Sequence, residues 1–222
     1  GAQNLLAKNP FPTLHLATVY QGRKESAKER AAIDATIKIE PNAVDAWAYL
    51  YSQVRTAENE EAAIKAVATL ADAEPNKRTA APYIALQGLY ANEESGRDKA
   101  VEFAKKAVER NDNDPLALIC LSALYGQAGD LDSVIALLSK HESKMTADVR
   151  LANNYFEALF QRRQIDRVTK LLNALAGSQN REVKQFAIER SRAVAQYLQQ
   201  QQQQLVSAGG GAAANVPGLA KR

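Results

Sequence analysis

The sequence predicts an all-α chain built from antiparallel helix pairs, and three observations predict it. Apolar residues recur at i, i+3, i+4 and i+7 along most of the chain, with no alternating run long enough for a strand. One helix-pair register returns at a fixed spacing: Pro41 and Pro75, Tyr125 and Leu159, and Val134 and Val168 are each 34 residues apart. Glycine and proline, 11 and 7 of 222 residues, fall largely between the periodic segments. A fixed period of this length means that one supersecondary unit is stacked on copies of itself, because a single helix pair cannot bury its apolar face alone.

The clearest copy lies at the centre of the first half. Residues 43–57 read as a helix with Ala46, Trp47, Leu50 and Val54 on one stripe, and residues 60–73 as a second with Ala63, Ile64, Val67 and Leu70. Glu74-Pro75-Asn76 stops the second helix, since proline lacks an amide donor and restricts the residue before it. Trp47, Leu50, Ala63 and Pro75 stand where the tetratricopeptide repeat (TPR) places a large residue, a Leu, an Ala and its closing Pro, so the pattern resembles that superfamily. The resemblance implies a right-handed α-solenoid of antiparallel helix pairs, about four to five repeats plus a C-terminal capping helix. Tyr51 departs from it by standing where a small residue is preferred, which predicts a slightly splayed pair.

The remaining copies follow in order. Before the central one, Leu14, Leu16 and Tyr20 with Ile33, Ile37 and Ile39 form a degenerate or capping copy, with Glu29 where a small residue is expected. After it come Tyr83, Leu86 and Tyr90 with Ala100, Ala104 and Ala107, and the extra residues of this copy enter around Asn76–Thr79 and Asn92–Gly96, in turns. Leu118, Leu121 and Tyr125 with Val134 and Leu138 make the next, and Ala152, Tyr155 and Leu159 with Val168, Leu172 and Leu175 the one after. A closing helix carries Val183, Phe186, Ala187, Arg190, Val194 and Tyr197, one face for the last repeat and one for water. Residues 1–198 therefore read as the repeat domain. Gln199–Gln204 extend the closing helix by a turn or two, Gly209-Gly210-Gly211 end it, and the rest of 199–222 is a flexible Gly/Ala-rich tail.

Composition narrows the functional classes. Net charge is only +3, but residues 1–141 carry −3 and residues 142–222 carry +6, so the C-terminal part is basic, with Arg162 and Arg163 the first residues to test for an acidic partner. No run of apolar residues is long enough to cross a membrane. The single cysteine, Cys120, allows no intramolecular disulfide, and its apolar surroundings make it a packing residue. The chain opens on Gly1-Ala2, read as a cloning scar or the start of a processed or excised segment, so cytoplasm and an exported or periplasmic location both fit.

The chemistry for catalysis is thin, and the expectation is a protein that is not an enzyme and uses no cofactor or metal. His15 and His141 are 126 residues apart, far from zinc-site spacing, and His141 reads as a helix C-terminal residue facing the dipole. The pairs Glu60-Glu61 and Glu93-Glu94 fall at helix starts or turns, where negative charge is favourable. Asn111 to Asp114 faintly match a calcium loop, but Pro115 follows and neither the glycine nor the terminal glutamate is present.

What remains is a surface for another protein. In the TPR arrangement the first helix of each pair lines the concave side, and the residues not spent on packing face the groove. This count gives Tyr49 and Arg55, then Ile84 and Asn92, then Ile119 and Gln127, then Arg150, Asn153, Asn154 and Gln161 as partner-binding residues. Such a mixture suits an extended peptide or a partner helix. The TPR proteins that hold chaperone C-terminal carboxylates need lysine, asparagine and arginine at set positions; Leu14, Thr18, Tyr49, Ala81 and Ala85 stand there, which disfavours that ligand. Acidic or neutral central repeats likewise argue against nucleic acid. The expectation is a scaffold or adaptor, with a structural subunit of a larger assembly or longer array as the alternative.

Overall fold

A computed structural model of the chain describes residues 10–212. Among these residues there are eleven α-helices and no strand: α1 Pro10–Gly22, α2 Ser26–Ile39, α3 Val44–Ala57, α4 Glu60–Asp72, α5 Ala81–Tyr90, α6 Arg97–Arg110, α7 Pro115–Gln127, α8 Leu131–Leu138, α9 Val149–Gln161, α10 Ile165–Ala176 and α11 Arg181–Ala212. Among the described residues the fold is all-α and made of successive helix pairs. The chain divides between His141 and Glu142 into two compact units, the first holding four helix pairs and the second one pair with α11.

Side-chain caps start many of these helices. Asn59 accepts a hydrogen bond from the Ala62 amide at α4, Asp114 from the Leu116 and Ala117 amides at α7, Asp130 from Ser133 at α8 and Asp148 from Arg150 at α9. Each cap satisfies an amide that has no partner inside its helix, worth about 1 kcal/mol. Asp114, within the stretch Asn111 to Asp114 that faintly matched a calcium loop, thus spends one carboxylate oxygen on α7. The insertions expected near Asn76 and Asn92 are the short 3-10 turns Asn76–Arg78 and Glu94–Gly96. Gly96 is needed in the second of these, because a Cβ there would lie 2.7 Å from the Tyr90 carbonyl.

In the first unit the core is continuous from Ala17 to Leu124. Ala46, Trp47, Leu50, Ala63, Val67, Leu86, Ala100, Ala104 and Leu118 are all buried, as their stripes require. Trp47 has no exposed surface, and its indole N–H donates to the Pro41 carbonyl at 2.8 Å, which ties the end of one copy to the start of the next. Removing that side chain to Ala costs about 3–5 kcal/mol. Tyr51 is buried, with its ring edge-on to Tyr90 and its hydroxyl 3.1 Å from the Tyr90 hydroxyl. Cys120 packs against this core.

Two details of the first unit differ from expectation. Leu16, expected on the packing stripe of α1, is 44% exposed. Helix α8 ends at Leu138, so His141 is not in its last turn; it sits in the 3-10 segment Ser139–Thr146 with φ −126°.

The second unit packs α9, α10 and α11 around Leu151, Tyr155, Phe156, Leu159, Val168, Leu172, Leu175, Val183, Ala187 and Val194. Ser178 donates to the Thr146 carbonyl and Asn180 to the Ala147 carbonyl, while the Asn180 side chain also accepts from the Glu182 amide and so starts α11. The three glycines do not end α11, which passes through Gly209-Gly210-Gly211 to Ala212. Extending an established helix needs only one further hydrogen bond per residue, which offsets the cost of about 1 kcal/mol that each glycine carries relative to alanine. The expected tail beyond Ala212 lies outside the described residues.

Candidate interaction surface

The candidate groove residues belong to the first helices α3, α5, α7 and α9 and to the turn after α5. Packing constrains the middle of each helix more than its end. In the first unit Tyr49 is half-buried, and its hydroxyl lies 3.2 Å from the Thr18 hydroxyl of α1; Ile119 is also half-buried. Ile84 is 6% exposed and belongs to the core, so it is withdrawn from the interaction surface. The reason is positional: α5 meets α3, α4, α6 and α7, and every residue from Ala81 to Gln87 is buried. Arg55, Asn92 and Gln127 are exposed and occur at the corresponding C-terminal end of three successive first helices.

Helices α3, α4, α5 and α6 are joined by a hydrogen-bonded network that links residues far apart in sequence. Tyr90 donates to Glu60 at 2.7 Å, and Lys99 donates to the same carboxylate oxygen at 2.6 Å. The Lys99 and Tyr90 hydrogen bonds hold the Glu60 carboxyl below the usual carboxylate range, with Arg55 adding a smaller favourable charge effect. Burial pushes the Tyr90 hydroxyl far above the ordinary tyrosine value, so it stays protonated and can only donate to Glu60. A second clasp forms around Arg110, which reaches the Lys77 carbonyl at 2.9 Å, pairs with Asp72, and lies over the Tyr83 ring at 5.4 Å.

In the second unit Arg150 forms a two-pronged pair with Asp148, at 2.8 and 3.2 Å, and this hydrogen bond is the leading reason that the Asp148 carboxyl is held low. Asn153 accepts a hydrogen bond from Arg190 at 3.3 Å, Glu157 pairs with Arg190 at 3.2 Å, and the guanidinium sits over Phe156 and Phe186 at 5.2 and 5.4 Å. Asn153 therefore helps to seat α11. Asn154 is half-buried and Gln161, the last residue of α9, is exposed. Tyr155, buried between Glu142 and Arg167, has its hydroxyl pushed up to about 12, first by burial and then by its hydrogen bond to Glu142.

Sequence reasoning missed Glu60, Lys99 and Arg110 as linking residues and Arg190 as the clamp of α11. The partners stand 27 to 39 residues apart and no local pattern joins them, although a spacing just over one repeat, as in Glu60–Lys99 or Asp72–Arg110, is what contact between neighbouring pairs produces. Among the described residues no group of three His, Cys, Asp or Glu side chains could hold a metal ion, and no helix is long and apolar enough to cross a membrane.

Fold and surface together define an all-helical protein built of successive helix pairs. No protein-family model and no curated protein matches the chain. Solved structures similar to it include the following three. The MamA protein superposes with a TM-score of 0.46 at 16% identity, over 85% of this chain and 94% of that one. A thermophilic TPR protein of Thermus thermophilus gives 0.45 at 14%, over 82% and 98%, and PilF of Pseudomonas aeruginosa gives 0.45 at 16%, over 86% and 89%.

Proposed function

We propose that the protein is a non-enzymatic interaction scaffold that binds a peptide or helix of another protein along its first helices. The observation that carries this reading is the row formed by Arg55, Asn92 and Gln127: polar side chains that remain exposed at the same end of three successive first helices, beside a core that uses almost every apolar residue. Repetition of hydrogen-bonding groups along one edge suits an extended segment, which presents donors and acceptors at regular intervals. In the second unit Gln161 holds the equivalent helix end, with Asn154 and Arg150 farther back on α9. Tyr49 and Ile119 supply half-buried apolar surface, and Asn153 contributes through the orientation of α11.

Changing Arg55, Asn92 and Gln127 together to Ala is expected to weaken capture of the native partner at least tenfold while leaving the far-ultraviolet circular dichroism unchanged. Undiminished capture by this variant refutes the assignment of the surface. A structural subunit of a larger assembly is the second reading, and one observation favours it: Ile188, Leu198 and Leu205 on α11 are 41%, 43% and 73% exposed. Under that reading Leu198→Ser and Leu205→Ser would release the chain from its assembly, whereas the Arg55, Asn92 and Gln127 changes would not.

A further inference from the structure

One face of α11 begins as packing surface and continues as open surface. Val183, Ala187, Val194, Leu198, Gln201 and Leu205 follow one another in steps of three, four or seven residues, so they share a single helical stripe. The first three are 0%, 0% and 6% exposed, in the part of α11 that packs on α9 and α10, whereas Leu198 and Leu205 are 43% and 73% exposed. The change comes at Tyr197, whose ring centre lies 5.2 Å from that of Phe160 near the end of α9. Every residue from Leu198 to Leu205 is exposed. The packing seam thus runs on in register past the point where, among the described residues, any other helix buries it.

Charge restricts what can cover it. The last charged residue before this stretch is Arg192, and from Ala193 to Leu205 the helix has none, in a chain that is 24% charged. A strongly acidic or basic partner therefore finds no opposite charge to pair with there. A second copy of the same face meets a better match. In a twofold contact the same patch serves both sides, so a charge near the axis would face its own like, and a stretch without charge escapes that repulsion. Glutamine suits such a contact for a related reason. Its amide holds both donors and an acceptor, so Gln201 of one copy can bond Gln201 or its neighbour in another, which two lysines or two glutamates cannot do. Leu198 and Leu205, seven residues apart, give the spacing at which two helices interlock their side chains.

We propose that the Leu198–Gln201–Leu205 face of α11 binds the same face of a second copy of this chain in a twofold contact. This rests on the reading of the exposed α11 leucines as an assembly surface and names the partner in that assembly. With two leucines from each copy, the contact belongs to the small, reversible class of interface, with dissociation in the micromolar range.

Sedimentation equilibrium of the purified full chain tests it. The native protein is expected to pass from one to two chain masses as its concentration rises through the micromolar range. Gln201→Glu and Gln201→Lys, both at an exposed position, are expected to keep the native urea midpoint and each to weaken pairing at least tenfold. An equimolar mixture of the two is expected to recover the pairing, because Gln201 lies midway between the leucines and opposite charges then meet near the axis whichever way the second helix runs. A native chain that stays at one mass throughout, a single variant that pairs as the native chain does, or a mixture that pairs no better than its components overturns the proposal. If the native chain stays single while Leu198→Ser with Leu205→Ser still releases it from a larger native assembly, the second copy is refuted and the assembly reading stands; if neither effect is seen, both are refuted.

Discussion

Replacing Tyr90 by Phe removes the central member of the Tyr51–Tyr90–Glu60–Lys99 network while keeping the ring that packs on Phe103. Two hydrogen bonds go. One is to a carboxylate, and bonds to charged groups contribute roughly 1.5–3 kcal/mol. That value belongs near its lower end here, because Glu60 is half-exposed and keeps Lys99 as a partner. The other leaves the Tyr51 hydroxyl, on a residue 2% exposed, without its partner, at a cost of about 1–3 kcal/mol. The expected loss is therefore about 2.5–4.5 kcal/mol. Tyr51→Phe alone removes only one neutral bond and is expected to cost about 0.5–1.5 kcal/mol. In the double variant no hydroxyl is left stranded, so its cost is expected to fall short of the sum by about 1 kcal/mol or more. Urea unfolding followed by ellipticity at 222 nm measures all three through the midpoint at constant slope. A Tyr90→Phe loss below about 0.5 kcal/mol, or strict additivity in the cycle, refutes the claim that this network fastens neighbouring helix pairs.

Three further outcomes follow from the same geometry. Arg190→Met should loosen α11 by about 1–2 kcal/mol, the combined effect of two cation–π contacts and a partly exposed ion pair, read as faster amide exchange across residues 183–197; unchanged exchange there contradicts the clamp. Asp148 has its carboxyl lowered in the folded state, so its contribution is present above the unfolded value and disappears as pH falls through the folded one. Below about pH 4 the stability advantage of the native protein over Asp148→Asn should therefore shrink, and a gap that is constant from neutral pH to about pH 2.5 would contradict that linkage. Glu29→Gln, at a carboxylate to which no described residue bonds, should leave the first unit about as stable as the native protein, measured by the urea midpoint; a loss above about 1 kcal/mol would contradict that reading.

Much of this was legible in the sequence because helix pairing is written in spacing. Trp47, Leu50, Ala63 and Val67 are buried where their stripe puts them, and the extra residues near Asn76 and Asn92 form turns because insertions inside a packed helix would shift every later contact off its face. Ile84 was not legible in the same way. Counting one packing stripe per helix leaves Ile84 for the groove, but a helix in the interior of a stack is covered on more than one side, and the uncharged run Ala80–Leu86 is the trace of that. The glycines of α11 misled for another reason, since residue propensity weighs little once twenty-eight residues have already formed a helix. The roles of Lys99, Arg110 and Arg190 depend on contacts between successive pairs, which side-chain identity alone does not disclose.

The central claim is that a partner docks along the first helices at the ends marked by Arg55, Asn92 and Gln127. Photo-crosslinking in the native host addresses it directly, with a benzophenone amino acid placed singly at these three positions and, for comparison, at the exposed second-helix positions Lys65 and Lys105. The account predicts one common adduct from the first three positions and none from the last two. Adducts confined to Lys65 and Lys105, or three unrelated adducts from the first set, would contradict it.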